Sequence, residues 1–214
     1  MVSILGCRSI LYTGEMESPK GGKSGKGAIA LQLSLSFVSE PPPPGFEGHV
    51  LTRALREHPS KSRILRMVRI ALSYFPELDG TGIKIGIARG AQGYASLDEP
   101  AIWLNPRGLC YQTIAHELVH LLQARGLVPG GERSCDIYSL ARDRFLVDAA
   151  PVYLAIPGVL TTPGGGLRAG ASRLLFATAR EAICRREAGQ RRYIRWFETA
   201  LAEVPLASAF DPAR

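Results

Sequence analysis

The segment His116-Glu117-Leu118-Val119-His120 constrains this chain more than any other feature. It lies in a run, 109–125, whose apolar residues recur at helical spacing. Asn105-Pro106 precedes the run, and Gly126 to Gly131 breaks it. Residues four apart on an α-helix sit about 40° apart around the axis. His116 and His120 therefore share a face, while Ile114, Ala115, Leu118, Leu121 and Leu122 fall on the other side. Such a helix packs its back against a core and leaves its front open. Two imidazoles on one face reach a single metal ion, and a glutamate between them stands where it can take a proton from a water the ion activates. The chain has only four histidines, and two are here. The competing reading is an amphipathic helix with two ordinary histidines.

Zinc in a catalytic site takes three protein ligands and a water. No histidine follows His120, so a three-histidine site built downstream is excluded. The first acids after the motif are Glu132 and Asp136, four apart and hence on one helix face. Gly130-Gly131 lets the chain turn back toward the first helix, and Glu132 opens the next one, where a carboxylate is favourably placed. The economical assignment makes Glu132 the third ligand and Asp136 the partner that orients a ligand histidine. Two alternatives stay open. Asp136 is the ligand and Glu132 a bystander, or both acids belong to a solvated helix face.

The pattern His116-Glu117-Leu118-Val119-His120 followed by Glu132-Arg133-Ser134-Cys135-Asp136 resembles the gluzincin metallopeptidases, and the short linker is similar to their minimal members. Gly131 stands where several of them carry asparagine. The resemblance implies one zinc ion held by His116, His120 and Glu132, with Glu117 as general base and Asp136 behind a zinc histidine. It implies peptide or protein substrates, and an edge strand that pairs with them by β-augmentation. Ala101–Leu104, directly before the motif helix, is the natural edge, with Trp103 or Ile102 as a pocket residue or as plain core packing. Tyr138, Tyr153 and Arg142 are candidates for stabilising an oxyanion, with Tyr138 off the Glu132 face.

The rest of the chain divides by composition. Residues 1–47 form an N-terminal extension, possible strand and linker, with alternation over 29–38 and four prolines at 41–44. Gly22-Lys23-Ser24 lacks the upstream glycine of a phosphate loop, because Glu17 occupies that position. Residues 48–160 form the catalytic domain. An apolar stripe of Ile64, Leu65, Val68, Leu72 and Phe75 predicts a helix that Pro76 ends. Ile83, Ile85 and Ile87, a segment near Tyr94, and Ala101–Leu104 predict strands. A second helix is expected over about Glu132 to Leu146. Residues 161–214 read as a basic helical region, two helices broken near Gly189. The expected fold is a soluble α+β, zincin-like one, with a short sheet, an active-site helix, a glutamate helix and a helical C-terminal extension.

Charge and cysteines narrow the partners. Twenty-six basic against nineteen acidic residues give a net charge of +7, which favours acidic partners without choosing one. Arg53, Arg56, Lys61, Arg63, Arg66 and Arg69 lie on or before the first long helix. Arg180, Arg185, Arg186, Arg191, Arg192 and Arg195 interleave with Tyr193, Trp196 and Phe197. That mixture suits single-stranded nucleic acid, and equally a solvated face whose aromatics pack inward, which is the simpler reading. A nucleic-acid-associated protein, its zinc domain a protease on bound proteins or non-catalytic, is the alternative function. Residues 167–214 are also a possible plug for a latent protease. Cys7, Cys110, Cys135 and Cys184 form no CxxC pair, so reduced thiols and a cytoplasmic location are expected, with a Cys110–Cys135 disulfide as the exception to check. No apolar run is long enough for a membrane span.

Overall fold

The alternating segment around Ile85 and the apolar run around Ile102 become neighbouring strands in the computed structural model, which describes residues 46–90, 92–96 and 98–203. The expected strand over 29–38 and the Gly22-Lys23-Ser24 segment lie outside the described residues. The fold is mixed, with four strands in one sheet and six α-helices among the described residues, which agrees with the α+β class. The strands are β1 (Val50–Leu51), β2 (Lys84–Ile87), β3 (Gly93–Ser96) and β4 (Ala101–Leu104), in spatial order β1-β2-β4-β3. The first three in that order run parallel, and β3 pairs antiparallel with β4.

This order corrects the choice of edge strand. β4 lies between β2 and β3, paired on both sides, so it cannot take on another strand. The chain folds back at 98–100 and lays β3 outside it, so that β3 is one edge of the sheet and β1 the other. Ile102 is fully buried in the core. Trp103 sits opposite Gly86 on one side and Tyr94 on the other. Its ring stacks on Tyr94 at 4.8 Å between centroids, a cross-strand pair on one sheet face.

The helices follow their apolar stripes. Helix α1 (Arg53–Arg56) is one turn, capped by Thr52, whose hydroxyl accepts from the Leu55 amide. Helix α2 (Lys61–Leu72) buries Ile64, Leu65, Met67, Val68 and Ala71. It stops at Leu72, and Phe75 is buried in the turn before Pro76. Helix α3 (Tyr111–Ala124) carries the histidine motif. Its first two amides, Tyr111 and Gln112, donate to the carboxylate oxygens of Asp148 at 2.8 and 2.9 Å, pairing helix N–H groups that have no partner within the helix. Helix α4 (Glu132–Leu140) is shorter than the spacing predicts. After it Asp143 turns extended, and its carboxylate accepts from the Phe145 amide, which starts a separate 3₁₀ turn at Arg144–Leu146.

Ile114, Ala115, Leu118, Leu121 and Leu122, the back of α3, are all buried. They meet α2 and the sheet, so the front is held at a fixed angle. Leu118→Ala is expected to cost about 2–5 kcal/mol in urea unfolding, since it leaves a cavity under the motif.

Helices α5 (Ala171–Glu187) and α6 (Tyr193–Ala202) pack on α4, within the same compact unit as the sheet. The Tyr193 and Ser134 hydroxyls, both buried, hydrogen-bond at 2.9 Å. Phe197 is fully buried, and Arg185 lies over the Trp196 ring at 4.1 Å. The aromatics of this basic region thus face inward or lie beneath arginine. No helix among the described residues is long and apolar enough to cross a membrane. Cys110 and Cys135 are not bonded to one another, so the Cys110–Cys135 disulfide is absent.

Candidate metal centre

Helix α3 presents His116 and His120 on its open face, and α4 enters beside them. The turn between the two helices depends on Gly131, whose φ of +95° suits glycine and no bulky residue. It places Glu132 in the first turn of α4. Glu132 Oε2 then lies 3.0 Å from His116 Nε2 and 3.3 Å from His120 Nε2, and the two Nε2 atoms are 3.1 Å apart. Three ligand atoms therefore converge in one small triangle.

The outer nitrogens of both rings are engaged. His116 Nδ1 pairs with Asp136 Oδ1 at 2.7 Å. The other oxygen of Asp136 accepts the Tyr153 backbone amide at 2.7 Å, and the residue is buried. Asp136 thus orients an imidazole with both oxygens occupied. His120 Nδ1 pairs with Gln123 Oε1 at 2.9 Å. Gln123 Nε2 donates to the carbonyls of Pro129 and Gly131, which fixes its oxygen as the acceptor and so places a proton on His120 Nδ1. Gln123 ties the linker to the histidine. It is three residues beyond His120, on the same face of α3, the one signal in the sequence that marks it.

With Nδ1 protonated on each ring, both Nε2 lone pairs point toward a carboxylate oxygen. A proton on His116 bridges one edge of that triangle, whereas a metal cation satisfies all three atoms. Ligand atoms around a tetrahedral zinc stand about 3.3 Å apart, close to the three separations here. Electrostatics agree. Burial opposes charge on His116, but Asp136, then Glu117 and Glu132, outweigh it and raise its affinity for a proton. The site attracts positive charge.

Cys135 is the residue that motif spacing leaves out. His116, His120 and Cys135 form a group whose ligand atoms lie within 4.8 Å of one another, able to hold a metal ion. The thiol is buried and bonded to the His116 carbonyl at 3.0 Å. Burial, then the charges of Asp136, Glu117 and Glu132, push its pKa far up. Only a thiolate binds metal well, so a buried, protonated Cys135 is a poor ligand as it stands.

Glu117 lines a cleft of about 650 Å³ together with His116, Asp136 and Tyr153. It is buried, and its Oε2 has no hydrogen-bond partner among the described residues. Burial pushes its carboxyl up to about 7, with the charge of His116 opposing and that of Glu132 adding. Gly93, at the start of β3, makes room for it, since a Cβ there would lie 2.9 Å from Glu117 Oε1. The edge strand and the carboxylate thus share one wall of the cleft.

Of the three oxyanion candidates, the structure brings one to the site. The Tyr153 ring stacks on His116 at 5.6 Å and lines the cleft. Burial and the charges of Glu132, Asp136 and Glu117 raise its phenol pKa, so it stays protonated. Tyr138 is buried against Arg186, and Arg142 pairs with Glu77 at 2.7 Å beneath Phe75. Neither lines the cleft. Trp103 and Ile102 do not line it, and no described residue of 167–203 does, so α5 and α6 do not plug it.

Asp136→Asn is expected to weaken zinc binding about 10- to 100-fold in a chelator competition, because the histidine loses its orienting charge. No family model, no curated protein and no solved structure matches this chain.

Proposed function

We propose that this chain is a zinc metallopeptidase of minimal gluzincin type, with a zincin-like fold. One observation carries the reading. Two imidazole nitrogens and a carboxylate oxygen converge to 3.0–3.3 Å beside a buried glutamate whose Oε2 is unpartnered and which lines an open cleft.

His116, His120 and Glu132 would hold the ion. When bound, zinc supplies a Lewis acid that polarises a peptide carbonyl and acidifies water. Glu117 accepts a proton from the attacking water and passes it to the leaving amine. Its burial suits this work, because removal from water favours the protonated form and so makes the carboxylate a better proton acceptor. Asp136 and Gln123 hold the imidazoles in the tautomer that leaves Nε2 free. Tyr153, protonated and above His116, donates a hydrogen bond to the oxygen on which negative charge develops. β3 is one of the two edges of the sheet, β1 being the other, and Gln92 and Gly93 bring it to the cleft, where an extended peptide pairs with it.

The test is direct. The purified chain is expected to carry one zinc by mass spectrometry and to cleave peptides from a mixed library. Chelation should abolish cleavage and added zinc should restore it. A zinc-loaded chain that cleaves no peptide would end this reading.

A non-catalytic metal module is the weaker reading, because it gives no role to a buried, unpartnered Glu117 in a cleft. The inward-packed aromatics of α6 likewise remove the stacking platform that favours nucleic acid.

A further inference from the structure

The solvent side of α2 carries charge of one sign. The helix holds Lys61, Arg63, Arg66 and Arg69 and no acidic residue. Ile64, Leu65, Met67, Val68 and Ala71 are buried, while Arg63, Arg66 and Arg69 are exposed. These three arginines follow one another at steps of three residues. They are therefore neighbours along one side of the helix, spread over about 9 Å of its length. None of them forms an ion pair among the described residues. Elsewhere the arginines are partly neutralised, Arg53 by Glu57 at 2.8 Å and Arg185 by Glu181 at 2.9 Å. Like charges held as neighbours on a helix oppose its formation, and a bound anion removes that opposition.

The row is held in place. Arg63 Nη2 donates to the Leu109 carbonyl at 3.1 Å. The Arg69 guanidinium lies over the ring of the fully buried Phe46, 5.3 Å from its centroid. Side chains already ordered in this way lose less freedom when a partner binds.

The make-up of the face narrows the partner. No large apolar residue of α2 is exposed, so nothing inserts into a bilayer. The helix has no aromatic residue, so unpaired bases find no stacking platform on it. What it offers is guanidinium forks, which match the oxygens of phosphate two at a time. A row of cations is met best by a row of anions. A phosphodiester backbone presents one at every nucleotide, and a duplex has the higher charge density.

We infer that the exposed face of α2 is a nucleic-acid-binding surface, on which Arg63, Arg66 and Arg69 bind the phosphate backbone of a duplex without reading its sequence. The inference is independent of the peptidase reading, since α2 supplies no residue to the metal centre or the cleft.

The test titrates the full chain against a short, fluorescently labelled DNA duplex of mixed sequence and reads anisotropy. Affinity should fall about 40-fold or more between about 50 and 200 mM salt, the slope of three or more phosphate contacts. Arg66→Gln breaks no printed contact within the protein and should lower the slope by about one. Arg63→Gln, Arg66→Gln and Arg69→Gln together should remove about three contacts from the slope and weaken binding about 10-fold or more. The urea midpoint of that variant reports whether it is folded; if it is not, Arg66→Gln alone decides. Arg191→Gln, Arg192→Gln and Arg195→Gln together, on the other basic region, should leave the slope unchanged. No duplex binding at low salt, or a slope unchanged in the folded α2 variants, would overturn the inference. So would a slope lost in the Arg191, Arg192 and Arg195 variant instead. Binding to polyglutamate or to anionic lipid vesicles as tight as to the duplex would overturn it too, by giving the face to another class of partner.

Discussion

Glu132→Ala should cost the protein its zinc. The variant loses one corner of the triangle that His116 and His120 form with Glu132 Oε2. Two imidazoles remain, with no carboxylate oxygen beside them to complete three ligands. Metal content after gel filtration is expected to fall from one per chain to a small fraction. The loss should exceed the roughly 10- to 100-fold weakening expected of an outer partner such as Asp136. Cys135 supplies the control. Its sulfur is near both histidines but is protonated, buried and bonded to a carbonyl. Cys135→Ser should therefore keep its zinc. The cobalt-substituted protein should show no thiolate-to-metal charge-transfer absorption. Strong charge transfer, together with zinc retained in Glu132→Ala, would transfer the third position to Cys135.

Glu117→Gln separates chemistry from metal binding. Glutamine keeps the size and shape of the side chain and lies outside the ligand triangle, so one zinc per chain should remain. It cannot take a proton from water. Peptide hydrolysis is expected to fall about 10²- to 10⁴-fold, the range for loss of a general base. Normal zinc with normal hydrolysis would remove Glu117 from the mechanism. Gly93 gives the effect a structural basis, since the missing side chain at that position leaves the space Glu117 occupies.

Much of the fold was legible because its periodicities are strong. The back of α3, the stripe of α2, the alternation of Ile83, Ile85 and Ile87 and the apolar run of β4 are each set by which residues avoid water. The two C-terminal helices with their break near Gly189 were equally plain. β1 was not, because two residues carry no period. Neither was the end of α4, where a local bond from the Asp143 side chain competes with the helix.

The chemistry-bearing residues divide in the same way. His116, Glu117 and His120 are placed relative to one another by the helix alone, so their spacing in the chain is their spacing in space. Glu132 and Asp136 share a face for the same reason. Their approach to the histidines depends on the angle at Gly131, and on Gln123 holding the linker, which is a matter of tertiary contacts. Strand order, too, is not contained in alternation. The residues of β4 and β3 are both apolar enough to pair, and only the hairpin's folding decides which one is outermost. Cys135, Tyr153, Gln112 and Asp148 acquire their places from packing between segments distant in the chain. Local periodicity determined which helices and strands exist and put two imidazoles and a carboxylate on one surface. The tertiary structure decided which side chains meet the two histidines, which strands lie at the sheet's edges, and which residues line the cleft, because those depend on contacts that no single segment can make alone.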